Sequence, residues 1–179
     1  MQKLGTTDLE VHEVCLGGNV FGWTIDQDRS FEVLDGYMAA GGNFIDTADA
    51  YSQWVPGHTG GESETVIGGW LNKRGRRDDV VLMTKVGNLK SHPGLTKANV
   101  AAAVDESLRR LQTDYLDVYC AHWDDNVTPI EEIHEAFDAV VEAGKVRYVG
   151  ASNFVGDRFE KLVAHRRSNG EPWLAAYLP

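Results

Sequence analysis

The chain has 179 residues, of which 42% are hydrophobic and 25% are charged, and its formal net charge is −10. This composition is typical of a globular protein, and the length predicts one domain over residues 1–179. The negative charge argues against nucleic acid or an anionic membrane surface as a partner. We expect a cytoplasmic location, because the start lacks an apolar signal segment and both cysteines, Cys15 and Cys120, lie in apolar runs expected to be buried.

Short apolar strands alternate with amphipathic helices along the chain. The pattern predicts a small hairpin with a turn at residues 5–8, followed by a strand at 11–16. A helix is expected from about Asp28. Five more strands are predicted, at 43–46, 80–85, 115–122 and 146–150 and beginning near Trp173. The helices between them carry one apolar face each, as in Val66, Ile67, Trp70 and Leu71, and Thr96 and Thr128 are predicted as N-terminal caps.

This alternation requires parallel strands joined by helical crossovers. Two architectures satisfy it, a doubly wound open sheet and a (β/α)8 barrel. A complete barrel usually needs about 250 residues. The alternation of strands and helices, the rhythm of the elements, therefore favours the open sheet when it is taken alone.

Polar residues end three of the apolar runs. Asp46, Lys85 and His122 close the predicted strands, and Tyr51 follows the first of them. Because the carboxyl ends of parallel strands meet at one edge of a sheet, these four side chains are expected to lie together. Taken singly, Asp46 could cap a turn, Lys85 could be a solvated strand end and His122 could be structural. Asp49 is assigned to local turn bonding.

Residues 44–52, FIDTADAYS, resemble the signature of the aldo-keto reductases, a family of (β/α)8 barrels. Thr84 and Lys85 match the end of the family's third strand, and His122 matches the end of its fourth. Residues 144–154, GKVRYVGASNF, are a second and independent match. The resemblance implies an α/β fold of the (β/α)8 TIM barrel type, preceded by a short hairpin and ending within the sixth βα unit.

The resemblance further implies reduction of small aldehydes or ketones by hydride transfer from NADPH or NADH, without a metal. Tyr51 would be the general acid, and His122 would bind the carbonyl oxygen. A tyrosine with a pKa of about 10 is a poor acid near pH 7. Lys85 would lower that pKa, since a cation about 4 Å away is worth roughly 4 kcal/mol at a dielectric of 20, and Asp46 would hold Lys85.

Other positions are assigned by the same resemblance. The cofactor-binding set consists of Gly18, Asp46, Ser152 and Asn153, of which the last two match contacts to the nicotinamide carboxamide. Three tryptophans follow the first, second and fourth strands of the predicted barrel. They are expected either to line an apolar substrate pocket or simply to pack in loops: Trp23, Trp54 and Trp123.

The resemblance leaves the family's seventh and eighth strands without a counterpart. We therefore expect little activity from this chain alone, and self-association or a complementing fragment that covers the free strand edges. Two other functions stay open. One is a metal-dependent barrel hydrolase or isomerase that uses Asp46, His122 and Asp124. The other is a non-catalytic interaction module.

Overall fold

A small hairpin precedes a six-stranded parallel sheet in the computed structural model, which describes residues 1–167, Gly170 and residues 172–178. The hairpin consists of β1 (Gln2–Lys3) and β2 (Glu10–Val11). The sheet consists of β3 (Leu16–Gly17), β4 (Phe44–Asp46), β5 (Val81–Val86), β6 (Leu116–Ala121), β7 (Val146–Ser152) and β8 (Leu174–Leu178). The helices are α1 (Gln27–Ala39), α2 (Glu62–Arg74), α3 (Lys97–Leu111), α4 (Ile130–Glu142) and α5 (Gly156–Ala164).

The order of the strands in the sheet identifies the architecture. Each strand from β4 to β8 pairs in parallel with the strand that precedes it in the chain. A doubly wound sheet reverses its strand order at a switch point, and the described strands never do so. The fold is therefore a partial (β/α)8 barrel, as the family resemblance implied. The open sheet that the rhythm alone favoured is wrong.

The N-terminal hairpin is confirmed, but the strand predicted at residues 11–16 is not. Val11 belongs to the hairpin, and the first strand of the sheet is only Leu16–Gly17. The segment between them is held elsewhere, since the backbone N–H of His12 donates to Asn43 Oδ1 at 2.8 Å. Cys15 is exposed in this irregular segment, which corrects the expectation that it is buried, whereas Cys120 is buried in β6.

The hairpin is attached to a strand far away in the sequence. Arg147 and the Tyr148 hydroxyl, both on β7, contact the Asp8 carboxylate at 3.0 and 2.9 Å. Leu9 and Val11 are buried against apolar side chains of the inner face of the sheet. The hairpin therefore covers part of that inner face.

Most of the hydrophobic core lies between the outer face of the sheet and the helices. Val66, Ile67, Trp70 and Leu71 are buried along α2, as their spacing predicted. The Thr96 side chain caps α3, but Thr128 does not cap α4, which begins at Ile130. The Thr128 hydroxyl donates instead to Asp125 Oδ2 at 2.6 Å. Within the described part of the chain, no helix has the length and apolar character needed to cross a membrane.

Candidate active site

The carboxyl ends of β4, β5 and β6 bring the predicted polar residues together. Asp46 ends β4, Lys85 lies near the end of β5, and Tyr51 lies in the turn after β4. Lys85 Nζ donates to the Asp46 carboxylate, to the Tyr51 hydroxyl at 2.8 Å and to the carbonyl oxygen of Thr47 at 2.9 Å. Tyr51 also donates to Asp46 Oδ2 at 3.4 Å. One ammonium group therefore joins a carboxylate and a phenol.

Lys85 is buried, with 2% of its surface exposed. Burial alone would lower its pKa, but the charge of Asp46 and the contact with Tyr51 outweigh burial and raise that pKa above its ordinary value. The ammonium therefore stays charged at neutral pH. This agrees with the role that the sequence suggested for Asp46.

The pKa of Tyr51 differs from the expectation. Burial and the nearby Asp46 carboxylate raise it, and together they outweigh the opposite effect of Lys85. The expected lowering by the lysine is real but is not the net result, because burial, the largest effect, and the Asp46 carboxylate both act in the opposite direction. Tyr51 is therefore fully protonated at neutral pH.

His122 lies beside Tyr51 just after β6. The two ring centroids are 5.9 Å apart, and the rings meet edge to face. Burial and the charge of Lys85 lower the pKa of His122 to about 3, so the imidazole is neutral. Its Nδ1 atom is buried and has no hydrogen-bond partner in the described structure. A neutral imidazole of this kind can donate one hydrogen bond to a ligand.

One of the three predicted tryptophans contacts Tyr51, and a second contacts the first. Trp54 contacts Tyr51 at 6.3 Å between ring centroids, and Trp23 contacts Trp54 at 5.7 Å. Both are about half-exposed, at 47% and 43%. Trp123 is exposed to a similar extent and forms no aromatic pair with a described residue. Trp54 and Trp23 thus form a pair of indole rings that extends outward from the Tyr51 ring.

The predicted cofactor residues lie at the same edge of the sheet, where the carboxyl ends of the strands meet; this edge is called the mouth of the barrel below. Ser152 is buried at the end of β7, and Asn153 Nδ2 donates both to Ser152 Oγ at 2.7 Å and to the carbonyl oxygen of His122 at 2.9 Å. Gly18 is buried, and a Cβ there would lie 2.9 Å from Ser63 Oγ. The absence of a side chain at position 18 is thus explained by packing against α2. It gives no independent indication of a cofactor.

A second buried polar cluster lies on the other face of the sheet from Asp46 and Lys85, and sequence reasoning missed it. Thr84 points to the opposite face of β5 from Lys85 and donates to Glu64 Oε1 at 2.6 Å. Arg110 Nε donates to Glu64 Oε2, also at 2.6 Å. Glu64 looks in sequence like an ordinary acidic residue in the first turn of a helix, so its burial at the α2–α3 contact gives no local signal.

Asp49 belongs to this hidden region, and of its predicted turn bonding only a weak interaction with the backbone of Ala50 is present, outside hydrogen-bond geometry. It is 1% exposed, and neither oxygen of its carboxyl has a hydrogen-bond partner within the described chain. Burial and the nearby Glu64 raise its pKa to about 8. Asp49 is therefore largely protonated at neutral pH.

The structure does not favour the alternative metal site. Asp46 is paired with Lys85, and Asp124 accepts two hydrogen bonds from Arg158, at 2.5 and 2.7 Å. Among the residues described, no group of three or more His, Cys, Asp and Glu side chains is arranged to hold a metal ion. These carboxylates already have cationic partners.

Comparison with known proteins adds the following findings. The "Aldo/keto reductase family" model matches residues 13–177. "Uncharacterized oxidoreductase YrpG" of Bacillus subtilis (strain 168) is 41% identical over 170 residues, which cover 90% of this chain and 51% of that protein. "Aldo-keto reductase YhdN" of the same organism is 38% identical over 143 residues, covering 78% of this chain and 41% of that one.

A solved structure is also similar. It is described as "aldo-keto reductase AKR11C1 from Bacillus halodurans (holo form)" and is 36% identical, with a TM-score of 0.79 over 91% of this chain and 53% of that chain. The chain thus spans about half the length of these relatives.

Proposed function

Because the chain belongs to the aldo/keto reductase family, we propose that it forms the proton-donating part of a site that reduces small aldehydes or ketones to alcohols. The observation that carries this proposal is the contact of Lys85 Nζ with both the Asp46 carboxylate and the Tyr51 hydroxyl. A bound NADPH or NADH would supply the hydride. We propose the reaction for a protein with a complete site, and little activity for these 179 residues alone.

Tyr51 is the proposed general acid. A carbonyl oxygen that gains negative charge becomes a stronger base than a phenolate, so it takes the proton from Tyr51 Oη. The Lys85 ammonium, 2.8 Å from that oxygen, then stabilises the phenolate, and Asp46 keeps the ammonium in place. His122, held neutral, donates a hydrogen bond to the carbonyl oxygen and orients it beside Tyr51.

Groups suited to a nicotinamide carboxamide lie at the end of β7. A carboxamide needs both donors and acceptors, and the Ser152 hydroxyl and the Asn153 amide offer both within one dipeptide. Asn153 Nδ2 also donates to the carbonyl oxygen of His122, so a hydrogen bond joins the proposed carboxamide-binding residues to the proposed carbonyl-binding residue. We propose Ser152 and Asn153 as the residues that hold the carboxamide, with Gly18 and Asp46 nearby.

The test is the substitution Tyr51→Phe in a protein containing the complete site. It should lower the turnover of an aldehyde about 10²–10⁴-fold, because the proton donor is lost, and should leave NADPH binding nearly unchanged. Tyr115→Phe is the matched control, since Tyr115 is a half-buried tyrosine just before β6, at the opposite end of that strand. Retained turnover in Tyr51→Phe would refute the assigned role.

The edges of the sheet motivate a further proposal about partners. Neither β3 nor β8 has a second neighbouring strand among those described. Exposed strand edges present unpaired backbone groups and favour association. We propose self-association, or binding of a complementing fragment, along these edges. Light scattering at micromolar concentration that found a stable folded monomer would contradict this.

A further inference from the structure

A cavity of about 250 Å³ lies behind the turn that carries Tyr51, on the outer side of the barrel. Its walls come from that turn, from the segment after β5 and from α3. Leu89, Ala102 and Ala103 provide apolar surface, and Asn99 and Glu106 provide polar groups. The cavity is therefore a separate place from the mouth that Tyr51 and His122 share.

Asp49 gives this cavity its chemistry. The residue lines the cavity, is almost fully buried and has two carboxyl oxygens without a hydrogen-bond partner in the described structure. Its backbone is fixed, because its N–H donates to the carbonyl oxygen of Lys85 at 3.2 Å. Burying a carboxyl group without a partner is costly. A ligand that donates hydrogen bonds to Asp49 would remove this cost.

The charges around the cavity indicate a cationic ligand. Arg110 is the cation nearest to Asp49 on the wall, and its Nε is already bonded to Glu64. Glu106 adds a second carboxylate on the same wall. An anion would face the carboxyl groups of Asp49, Glu64 and Glu106, whereas Arg109 and Arg110 are already paired with Glu106 and Glu64, so the local charge disfavours it.

The chemistry of the wall distinguishes between kinds of cation. A metal ion needs several His, Cys, Asp or Glu ligands, and no such group of three occurs among the described residues. An organic ammonium ion needs one carboxylate for its N–H groups and apolar surface for its carbon chain. Asp49 and the Leu89, Ala102 and Ala103 side chains provide this combination.

We propose that this cavity binds a small organic ammonium ion, with its N–H groups bonded to Asp49 and its carbon chain against Leu89 and Ala102. Binding requires Asp49 as a carboxylate, so it should release a proton and strengthen with rising pH. The titratable groups around Asp49 come from each packed element: Glu64 of α2, Glu106 and Arg110 of α3, Lys85 of β5, Tyr119 of β6, and His92 of the loop after β5.

The test uses the 179-residue chain and butylammonium as the probe, with butanol as its neutral counterpart. Ligand-observed NMR titrations at pH 6.5 and 8.5, in phosphate and borate buffers that contain no amine, report the affinities. Because the pKa of Asp49 is about 8, we expect butylammonium to bind roughly 25-fold more tightly at pH 8.5. Butanol should bind more weakly and show no dependence on pH.

Variants make the test specific. Asp49→Asn should abolish the preference for butylammonium over butanol, whereas Asp157→Asn, which removes an exposed carboxylate on α5, should not. Ala102→Leu fills the cavity from an exposed position on α3 and should weaken binding even if Asp49→Asn does not fold. Equal binding of butylammonium and butanol, or an affinity for butylammonium unchanged by pH and by Ala102→Leu, would refute an ammonium site in this cavity.

Discussion

The substitution Asp46→Asn tests the electrostatics of the proposed acid directly. It removes a negative charge 3.4 Å from the Tyr51 hydroxyl, while Lys85 remains 2.8 Å from the same oxygen. At an effective dielectric of about 20, two unit charges at this distance, here the carboxylate and the phenolate, repel each other by about 5 kcal/mol. This energy is an upper limit, because solvent near the half-buried Tyr51 screens the interaction. We therefore expect the pKa of Tyr51 to fall, with at least about a tenfold increase in its acid dissociation constant.

The assay is NMR of protein with tyrosine ¹³C-labelled at the ζ carbon, followed as a function of pH. Six tyrosines contribute signals, and Tyr51→Phe identifies the one of interest. Asp28→Asn, at an exposed position in the first turn of α1, is the control and should leave the titration unchanged. If the pKa of Tyr51 stays the same or rises in Asp46→Asn, then Asp46 is not the anion that raises it. This experiment needs no substrate, cofactor or turnover.

Three further predictions concern stability, measured by urea denaturation. Gly68→Ala places a Cβ 2.1 Å from a backbone oxygen of α3 and should lower the free energy of unfolding by about 1–3 kcal/mol. Gly69→Ala is its control, because the new Cβ would lie 3.6 Å from its nearest neighbour, and this variant should be neutral or stabilise by up to about 1 kcal/mol. Asp117→Ala leaves Arg77 and Arg147 without their buried partner and should lower the free energy of unfolding by about 3–5 kcal/mol. Asp8→Asn removes an exposed partner of Arg147 and should lower it by less than about 1 kcal/mol. Burial lowers the pKa of His134 in the folded state, so the unfolded chain binds more protons, and stability should fall as the pH drops below about 6.5. His134→Gln should weaken this dependence, and an undiminished loss would contradict the assignment.

The sequence predicted most of the elements and the cluster of polar strand ends because both depend on local patterns. Asp46, Lys85 and His122 end apolar runs, and strand ends in a parallel sheet meet regardless of the details of packing. The choice between an open sheet and a barrel did not follow from the rhythm, since both are built from the same βα units. Residues 44–52 decided it through the family resemblance.

What the sequence could not predict depends on contacts between distant segments. Glu64 and Arg110 are 46 positions apart, and each has an unremarkable place on its own helix. The turn sequence around Asp49 suggested a side chain bonded to its own backbone, but packing against α3 buries the carboxyl instead. The direction of the pKa shift of Tyr51 could not be predicted either. It depends on how far burial and the Asp46 carboxylate outweigh the Lys85 ammonium, and the sequence gives neither the burial nor the distances.

The sequential order of the strands has a consequence for how the protein is made. Each strand from β4 to β8 finds its partner in the strand synthesised just before it, so the sheet can grow as the chain leaves the ribosome. The N-terminal hairpin is different, because Asp8 meets Tyr148 across 140 positions. This part of the docking of the first segment must therefore wait for β7, whereas the bonds of Glu10 and His12 to Asn43 need only the start of β4. Ribosome-bound chains that stop before β7 should lack this contact, and the amide proton of Asp8, which donates to the Tyr148 hydroxyl at 3.4 Å, should exchange freely until that strand has emerged.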